Sequence, residues 1–219
     1  MTKRELGLVA VAYITLTLLM TYPVIVRLGS HYIGSGSDMW IFQWNDWWLR
    51  KCLLERRNPF YTTWMFYPTG VSLVYHNFAW LNTLFWLPLS PLIGSVAAYN
   101  TIFILNLALG GIGMYALARY LVKNRWAAFL AGFVFAFWPF RLQHFNRPNL
   151  ISVGWIPLFL LYVIRAIREG RKGRDGLVAG LFLGLTGLSR WLHLALAGLL
   201  ASIYVVYSLI SERHKWNKK

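Results

Sequence analysis

Long apolar stretches, separated by short polar segments, dominate the chain. The apolar stretches lie at about 6–26, 97–121, 126–140, 150–167, 177–188 and 192–210. Most of them approach or reach the 17 to 25 residues or so that cross the hydrocarbon core of a bilayer as a helix. The pattern predicts an all-α fold, a polytopic transmembrane helical bundle of about six spans.

Residues 29–76 interrupt this pattern with a polar and aromatic segment. It opens with the flexible sequence Gly34-Ser35-Gly36-Ser37-Asp38 and continues through the Trp-rich residues 39–57. Trp is enriched where a helix lies in the membrane interface, since its ring is apolar and its N–H is polar. We therefore expect an interfacial amphipathic helix in the first outer loop, ended by Asn58-Pro59, and a turn at residues 68–70.

Residues 80–93 are apolar but hold Pro88 and Pro91. About 14 residues are too few for a comfortable span, so the segment is interpreted as a short helix at the membrane surface. A full span is the alternative, and it would invert the orientation of everything downstream.

The distribution of Lys and Arg residues predicts the orientation of the chain in the membrane. With the N-terminus inside, the inside segments hold 14 of the 22 Lys and Arg residues, among them the basic loop at 165–174. An excess of basic residues marks cytoplasmic loops. The expected layout is a single multi-pass domain of the plasma membrane with both termini in the cytoplasm. It comprises a first span within 1–28, an outer loop at 29–96, five further spans within 97–211 and a basic cytoplasmic tail at 212–219.

Composition excludes several classes of protein. Apolar residues make up 58% of the chain and charged residues 13%, too few polar residues to cover so many apolar helices in a soluble protein. The formal charge of +15 does not indicate nucleic acid as a partner, because the basic residues lie between apolar stretches and not on one face. The lone Cys52 excludes an internal disulfide. No hydrolase or ATPase motif is present.

Asp38 is the acid that the pattern singles out on the predicted outer side. Of seven acidic residues, four lie among inside basic residues, which leaves Asp38, Asp46 and Glu55 outside. A carboxylate at a helix N-terminus is stabilised there, although an ordinary first-turn acid would show the same pattern. Asn45 shares a helical face with Asp38, with Asp46 beside it. This polar face predicts substrate binding, or it is only the solvated side of the helix.

Residues 141–149 form a polar, cationic loop on the same predicted side. Its arginines, Arg141 and Arg147, can hold a phosphate through paired hydrogen bonds, and His144 lies between them. Contact with lipid headgroups is the alternative. Arg190 at another outer turn is a further candidate for substrate binding, and snorkelling to the membrane surface is its alternative. His76 at the end of the first outer loop is also a candidate, against a purely structural role.

Two glycine groups lie in the apolar stretches: Gly110, Gly111 and Gly113, and Gly180, Gly184 and Gly187. They allow close helix packing, or simply reflect how common Gly is in membrane helices.

The order of these features resembles the N-terminal half of the GT-C superfamily of membrane glycosyltransferases, which includes protein mannosyltransferases and aminoarabinose transferases. The resemblance rests on the outer acid that opens an interfacial helix and on the sequences "NPFYTTWMFYPTG", "MYALARYL", "AAFLAGFVFAFWPFRLQHFNRPNLISVGWIPLFLLYVI" and "GLVAGLFLGLTGLSRWLHLALAGLL". It implies transfer of a sugar from a polyprenyl-phosphate carrier to an acceptor on the outer side, with Asp38 as base or metal ligand.

The sequence departs from that family in two respects. Where a second acid is common, it has His144, Asn146 and Asn149, which weakens the case for a divalent metal and leaves the cofactor unknown. Relatives usually have further spans, so a second chain that supplies them is a possible partner beside membrane lipid and the carrier. A non-catalytic membrane subunit of the same fold is the alternative function; a transporter would need broken-helix repeats with midplane charges.

Overall fold

The structure is a computed structural model that describes residues 2–170 and 172–216. The helices are α1 Lys3–Met20, α2 Ser37–Glu55, α3 Trp80–Ile93, α4 Ser95–Val122, α5 Arg125–Phe137, α6 Pro139–Gln143, α7 Pro148–Ile151, α8 Trp155–Arg168, α9 Lys172–Ser189 and α10 Trp191–Trp216. Arg171 and the last three residues of the predicted tail lie outside the described residues.

Three helical segments are long and apolar enough to cross a membrane: Ser95–Val122, Pro148–Arg168 and Trp191–Ser211. The last of these is only 6% buried inside the protein, so its apolar side chains face outward, as a lipid-facing helix requires. The predicted helical membrane class is therefore confirmed. The number of six spans stays a prediction, because α5 has only 13 residues and would extend roughly 20 Å along its axis.

Several predicted boundaries shift where the sequence breaks the helix. The first apolar stretch was expected to reach residue 26, but α1 ends at Met20. Pro23 has no N–H and disfavours helical geometry in the residue before it, and a 3-10 helix, Val24–Arg27, follows. The predicted segment 150–167 is split into α7 and α8.

Residues 37–93 follow the predicted order of helix, turn and helix. The Trp-rich helix is present as α2, which ends at Glu55 with Arg56 in a left-handed conformation. The turn at 68–70 joins two short antiparallel strands, β1 Tyr61–Thr62 and β2 Val71–Ser72; this hairpin was not predicted. The short helix at 80–93 is found with those same bounds as α3.

Helix α4 is the centre of the bundle. It packs against α1, α3, α5 and α8, and glycines allow the close approach. A Cβ on Gly111 would lie 2.4 Å from the Tyr13 ring, and one on Gly113 would lie 2.7 Å from the Gly154 carbonyl oxygen. The close-packing interpretation is confirmed for 110–113. In the second group it is wrong for Gly180 and Gly184, which have open space around them, whereas a Cβ on Gly187 would lie 3.4 Å from the Leu194 side chain of α10, an ordinary packing distance.

Three ion pairs join residues that were predicted to lie on the same side of the membrane. Glu5 at the start of α1 pairs with Arg119 near the end of α4, at 2.9 Å. Arg165 at the end of α8 pairs with Asp175 at the start of α9, at 3.3 Å. Asp38 and Arg147, both predicted outside, contact each other. Which of these ends faces the cytoplasm stays a prediction.

Gly111→Ala is expected to destabilise the protein by about 1–3 kcal/mol, because the added methyl group would overlap a fixed ring. Tyr13 cannot move easily, since its hydroxyl donates to the Phe129 carbonyl at 2.7 Å. Gly180→Ala is the matched control and should be neutral, or stabilising by up to about 1 kcal/mol. Thermal unfolding in detergent measures both; equal losses would contradict the packing described for Gly111.

Two added cysteines, introduced one at a time, test the orientation. Tyr75 is fully exposed, Lys123 is exposed at the other end, and the native Cys52 is buried. A membrane-impermeant maleimide should label Tyr75→Cys in intact cells and Lys123→Cys only after permeabilisation. The reverse result would place residues 29–76 in the cytosol.

Candidate functional site

Asp38 and Arg147 form an ion pair between the carboxylate and the guanidinium Nε. The two residues lie far apart in the sequence and meet because their loops touch through the backbone. Gly34 has a φ of +89°, and a Cβ there would lie 2.5 Å from the Phe145 carbonyl oxygen. Only a glycine allows both this conformation and this approach. The predicted convergence of the acidic loop and the cationic loop is therefore found in the structure.

Asn100 of α4 holds the segment that leads to Asp38. It is fully buried. Its side chain accepts from the Ile33 N–H at 2.8 Å and donates to the carbonyls of Leu28 at 2.8 Å and His31 at 2.7 Å. One asparagine thus fixes both sides of the turn at residues 28–33.

Asn45 and His76 are brought together, as predicted for residues that share a site. Asn45 Oδ1 lies 2.9 Å from His76 Nε2, and its amide donates to the Asn77 carbonyl at 3.0 Å. Because the amide nitrogen is used in this way, the oxygen accepts from a protonated Nε2. Burial lowers the pKa of His76. The Asn77 side chain in turn accepts from Asn149 at 2.9 Å, which connects this group to the loop of Arg147.

Asp46 is a buried acid next to that group. Its carboxylate Oδ1 lies 2.6 Å from the Thr83 hydroxyl, and burial raises its pKa to about 7. Thr83 is also 3.3 Å from the Ala79 carbonyl. The Thr83 hydroxyl donates to Asp46, and this bond lowers the pKa of the acid less than burial raises it. A cavity of about 10 Å³ adjoins Asp46 and Tyr99, enough for roughly one water molecule.

The burial of Asn45 and Asp46 shows whether this face of α2 is exposed to solvent. Asn45 is 0% exposed and Asp46 is 6% exposed. The idea that they lie on the solvated side of the helix is therefore wrong. Only Asp38, at the start of α2, remains partly accessible.

Arg141 lies inside the protein and not on the loop surface. It is 2% exposed, and its guanidinium donates to the carbonyls of Ile151 at 2.6 Å, Asn106 at 3.2 Å and Phe135 at 3.2 Å. Its Nε has no hydrogen-bond partner among the described residues. In this position Arg141 holds the end of α5 against α4 and the break between α7 and α8.

Arg190, between α9 and α10, lies on the Arg147 side of the site. Burial, and then repulsion from Arg147, lowers its pKa. His193 is buried and interacts electrostatically with Arg190 and Arg141. His144 is turned towards its own helix, where Nδ1 lies 2.7 Å from the Phe140 carbonyl and the ring stacks on Phe140. Asp38, Arg147 and Arg190 therefore form the accessible part of the site.

Sequence reasoning missed a set of polar residues inside the helices. Asn82 and Ser152 exchange hydrogen bonds at 3.0 and 3.1 Å, and the Asn106 amide donates to Asn82 at 3.1 Å. These residues could have been identified from the sequence, because an asparagine within an apolar helix needs a hydrogen-bond partner inside the bundle. In the part of the chain that the structure describes, no group of three or more His, Cys, Asp or Glu side chains could hold a metal ion.

A helical membrane protein with a polar site at one end of its bundle is the class that these features define. Residues 71–218 match the family described as "6-pyruvoyl-tetrahydropterin synthase related domain; membrane protein". The match covers more than half of the chain, which therefore belongs to this family. No curated protein and no solved structure matches the chain. Membership confirms the predicted location in a membrane, and it does not bear on sugar transfer.

Asp46→Asn should change how stability depends on pH. A folded-state pKa near 7, against 3.8 for an ordinary aspartate, means that the stability from neutral Asp46 is complete below about pH 4. It is lost as the pH rises through 7. Between pH 5 and 8 the native protein should lose on the order of 2 kcal/mol relative to the variant.

Thermal unfolding of both proteins across this pH range measures the difference. The lowered pKa of His76 acts in the opposite direction, but it is common to both proteins and largely cancels. Parallel pH profiles would show that Asp46 is ionised and solvated in the folded protein.

Proposed function

We propose that the protein is a glycosyltransferase, or the N-terminal module of one, that moves a sugar from a polyprenyl-phosphate carrier to an acceptor on the extracytoplasmic side. The single observation that supports this most is the contact of Asp38 with Arg147. It joins a potential base and a potential phosphate ligand at one accessible place, with Arg190 nearby.

Each side chain of the accessible site has one role in this reaction. The acceptor hydroxyl oxygen attacks the anomeric carbon of the sugar, and the bond from that carbon to the carrier phosphate oxygen breaks. The phosphate leaves with the bonding electrons, so it needs no general acid. Asp38 takes the hydroxyl proton during attack. Arg147 and Arg190 stabilise the charge that develops on the phosphate.

The ion pair also suggests how Asp38 becomes available. While Asp38 pairs with Arg147, its carboxylate oxygen is occupied and is not free to accept from the acceptor hydroxyl. A carrier phosphate that binds Arg147 competes for the same N–H groups. Binding of the carrier then releases Asp38 towards the acceptor, so the base is activated only when the sugar donor is present.

The remaining predicted residues support the site from inside. Asn45 and Asp46 are buried on α2, the helix that has Asp38 in its first turn, and the half-buried His76 bonds Asn45. Arg141 donates to backbone carbonyls, and we assign it a positioning role. His144, in the loop at 141–149, stacks on Phe140. A divalent metal is not part of the proposal, and a second chain remains a possible partner.

A non-catalytic subunit of the same fold is the second candidate. It is favoured by one observation: Arg147 neutralises Asp38. In that case the cationic loop binds a lipid phosphate or a partner protein, and the acid only fixes the loop.

Asp38→Asn should reduce sugar transfer in membranes by about 10²–10⁴-fold, the usual contribution of a general base, with expression unchanged. Glu55→Gln, which alters an acid at the other end of α2 that pairs with Lys51 and Arg57, is the matched control and should retain activity. Transfer of a radiolabelled sugar from a polyprenyl-phosphate donor measures both variants.

Full activity of Asp38→Asn would remove this acid from the mechanism. A native protein that binds the donor lipid but transfers no sugar would support the non-catalytic subunit.

A further inference from the structure

A large pocket lies at the opposite end of the bundle from Asp38. It is formed where the start of α1, the end of α4 and the start of α5 meet, and it has a volume of about 1290 Å³. The cations in its lining are Arg4, Arg119, Lys123 and Arg125. This pocket shares no residue with the proposed transferase site.

Most of the positive charges in the lining of this pocket have no acidic partner within the described ranges. Glu5 is the acid in the lining, and it is already engaged, since it accepts from Arg119 at 2.9 Å and from the Tyr115 hydroxyl at 2.7 Å. Among the described residues, no ion pair involves Arg4, Lys123 or Arg125. Arg4, Lys123 and Arg125 are exposed and line one pocket without an ion-pair partner in the described structure, so their N–H groups are available to an anion.

The rest of the lining is apolar and continues into the lipid-facing surface. Leu8, Ala12 and Phe129 form one wall. Leu8 is 64% exposed, and Val11 on the same helix is equally exposed. Trp126, 83% exposed at the edge of the pocket, is of the type that lies at the headgroup level of a bilayer. The pocket therefore offers cations to a headgroup and an apolar path to its chains.

We propose that this pocket binds the headgroup of an anionic phospholipid from the adjoining leaflet. The phosphate lies among Arg4, Lys123 and Arg125, and the hydrocarbon chains lie along α1 and α5. Basic pockets between membrane helices are recognised sites for anionic headgroups, and Arg offers a phosphate two N–H groups at once. The site requires no sugar transfer and is independent of the proposed function.

Lipid binding to the purified full chain tests the site. The protein in neutral detergent is titrated with phosphatidylglycerol or phosphatidylcholine, and bound lipids are counted by native mass spectrometry. The native protein should prefer phosphatidylglycerol. Combined Arg4→Gln, Lys123→Gln and Arg125→Gln should weaken its binding by about tenfold or more, since each basic residue near an anionic surface contributes appreciably.

The matched control removes three charges elsewhere. Arg27, Arg50 and Arg56 are exposed and lie in or beside the outer loop. Their combined change to Gln lowers the net charge equally and should leave phosphatidylglycerol binding within about twofold of the native value. If the pocket variant does not fold, Arg4→Gln and Arg125→Gln singly should each weaken binding several-fold.

Three results would overturn the proposal. One is equal affinity of the native protein for the two lipids. Another is an equal loss in the pocket and control variants, which would indicate general attraction to charge. The third is displacement of phosphatidylglycerol by millimolar inorganic phosphate, which would assign the pocket to a free anion.

Discussion

A polar group inside a membrane protein has to find its partner within the protein, and this constraint determines the arrangement of the bundle. Water is absent from the hydrocarbon region, so an unpaired amide or guanidinium there is costly. Asn82, Asn100 and Asn106 each bond another element. Arg141 is surrounded by backbone carbonyls from three parts of the chain. These bonds are directional, so they specify which helices meet and in which register, as apolar packing alone does not.

The two aspartates of α2 show how the same residue type takes different roles through its surroundings. Asp38 is on the first turn of α2, beside a guanidinium. Asp46 is two turns further on, among apolar rings, and a hydroxyl is its one hydrogen-bond partner recorded in the described part of the chain. An accessible acid that pairs with another side chain can exchange that partner for a substrate group. An acid that is half protonated near neutral pH contributes to the site mainly by holding its neighbours.

The sequence predicted the helices better than it predicted the site. Apolar runs and proline positions located α3 with its bounds and α4 to within two residues, because those signals are local. The split of α7 from α8 was missed, since it depends on how closely Gly154 approaches α4. Asp38 and Arg147 were proposed to converge from their shared side of the membrane. Whether Arg141 would lie inside or on the loop surface could not be read from spacing, because a basic residue near a helix end has both options.

Asn100 has a consequence for how a large ligand could enter. This one side chain bonds Leu28, His31 and Ile33, so the chain is tied to the central helix four residues before α2 begins at Ser37. Separation of Asp38 from Arg147 by a large ligand then requires movement of the segment around Arg147, or of residues 34–36 between the tie and the acid.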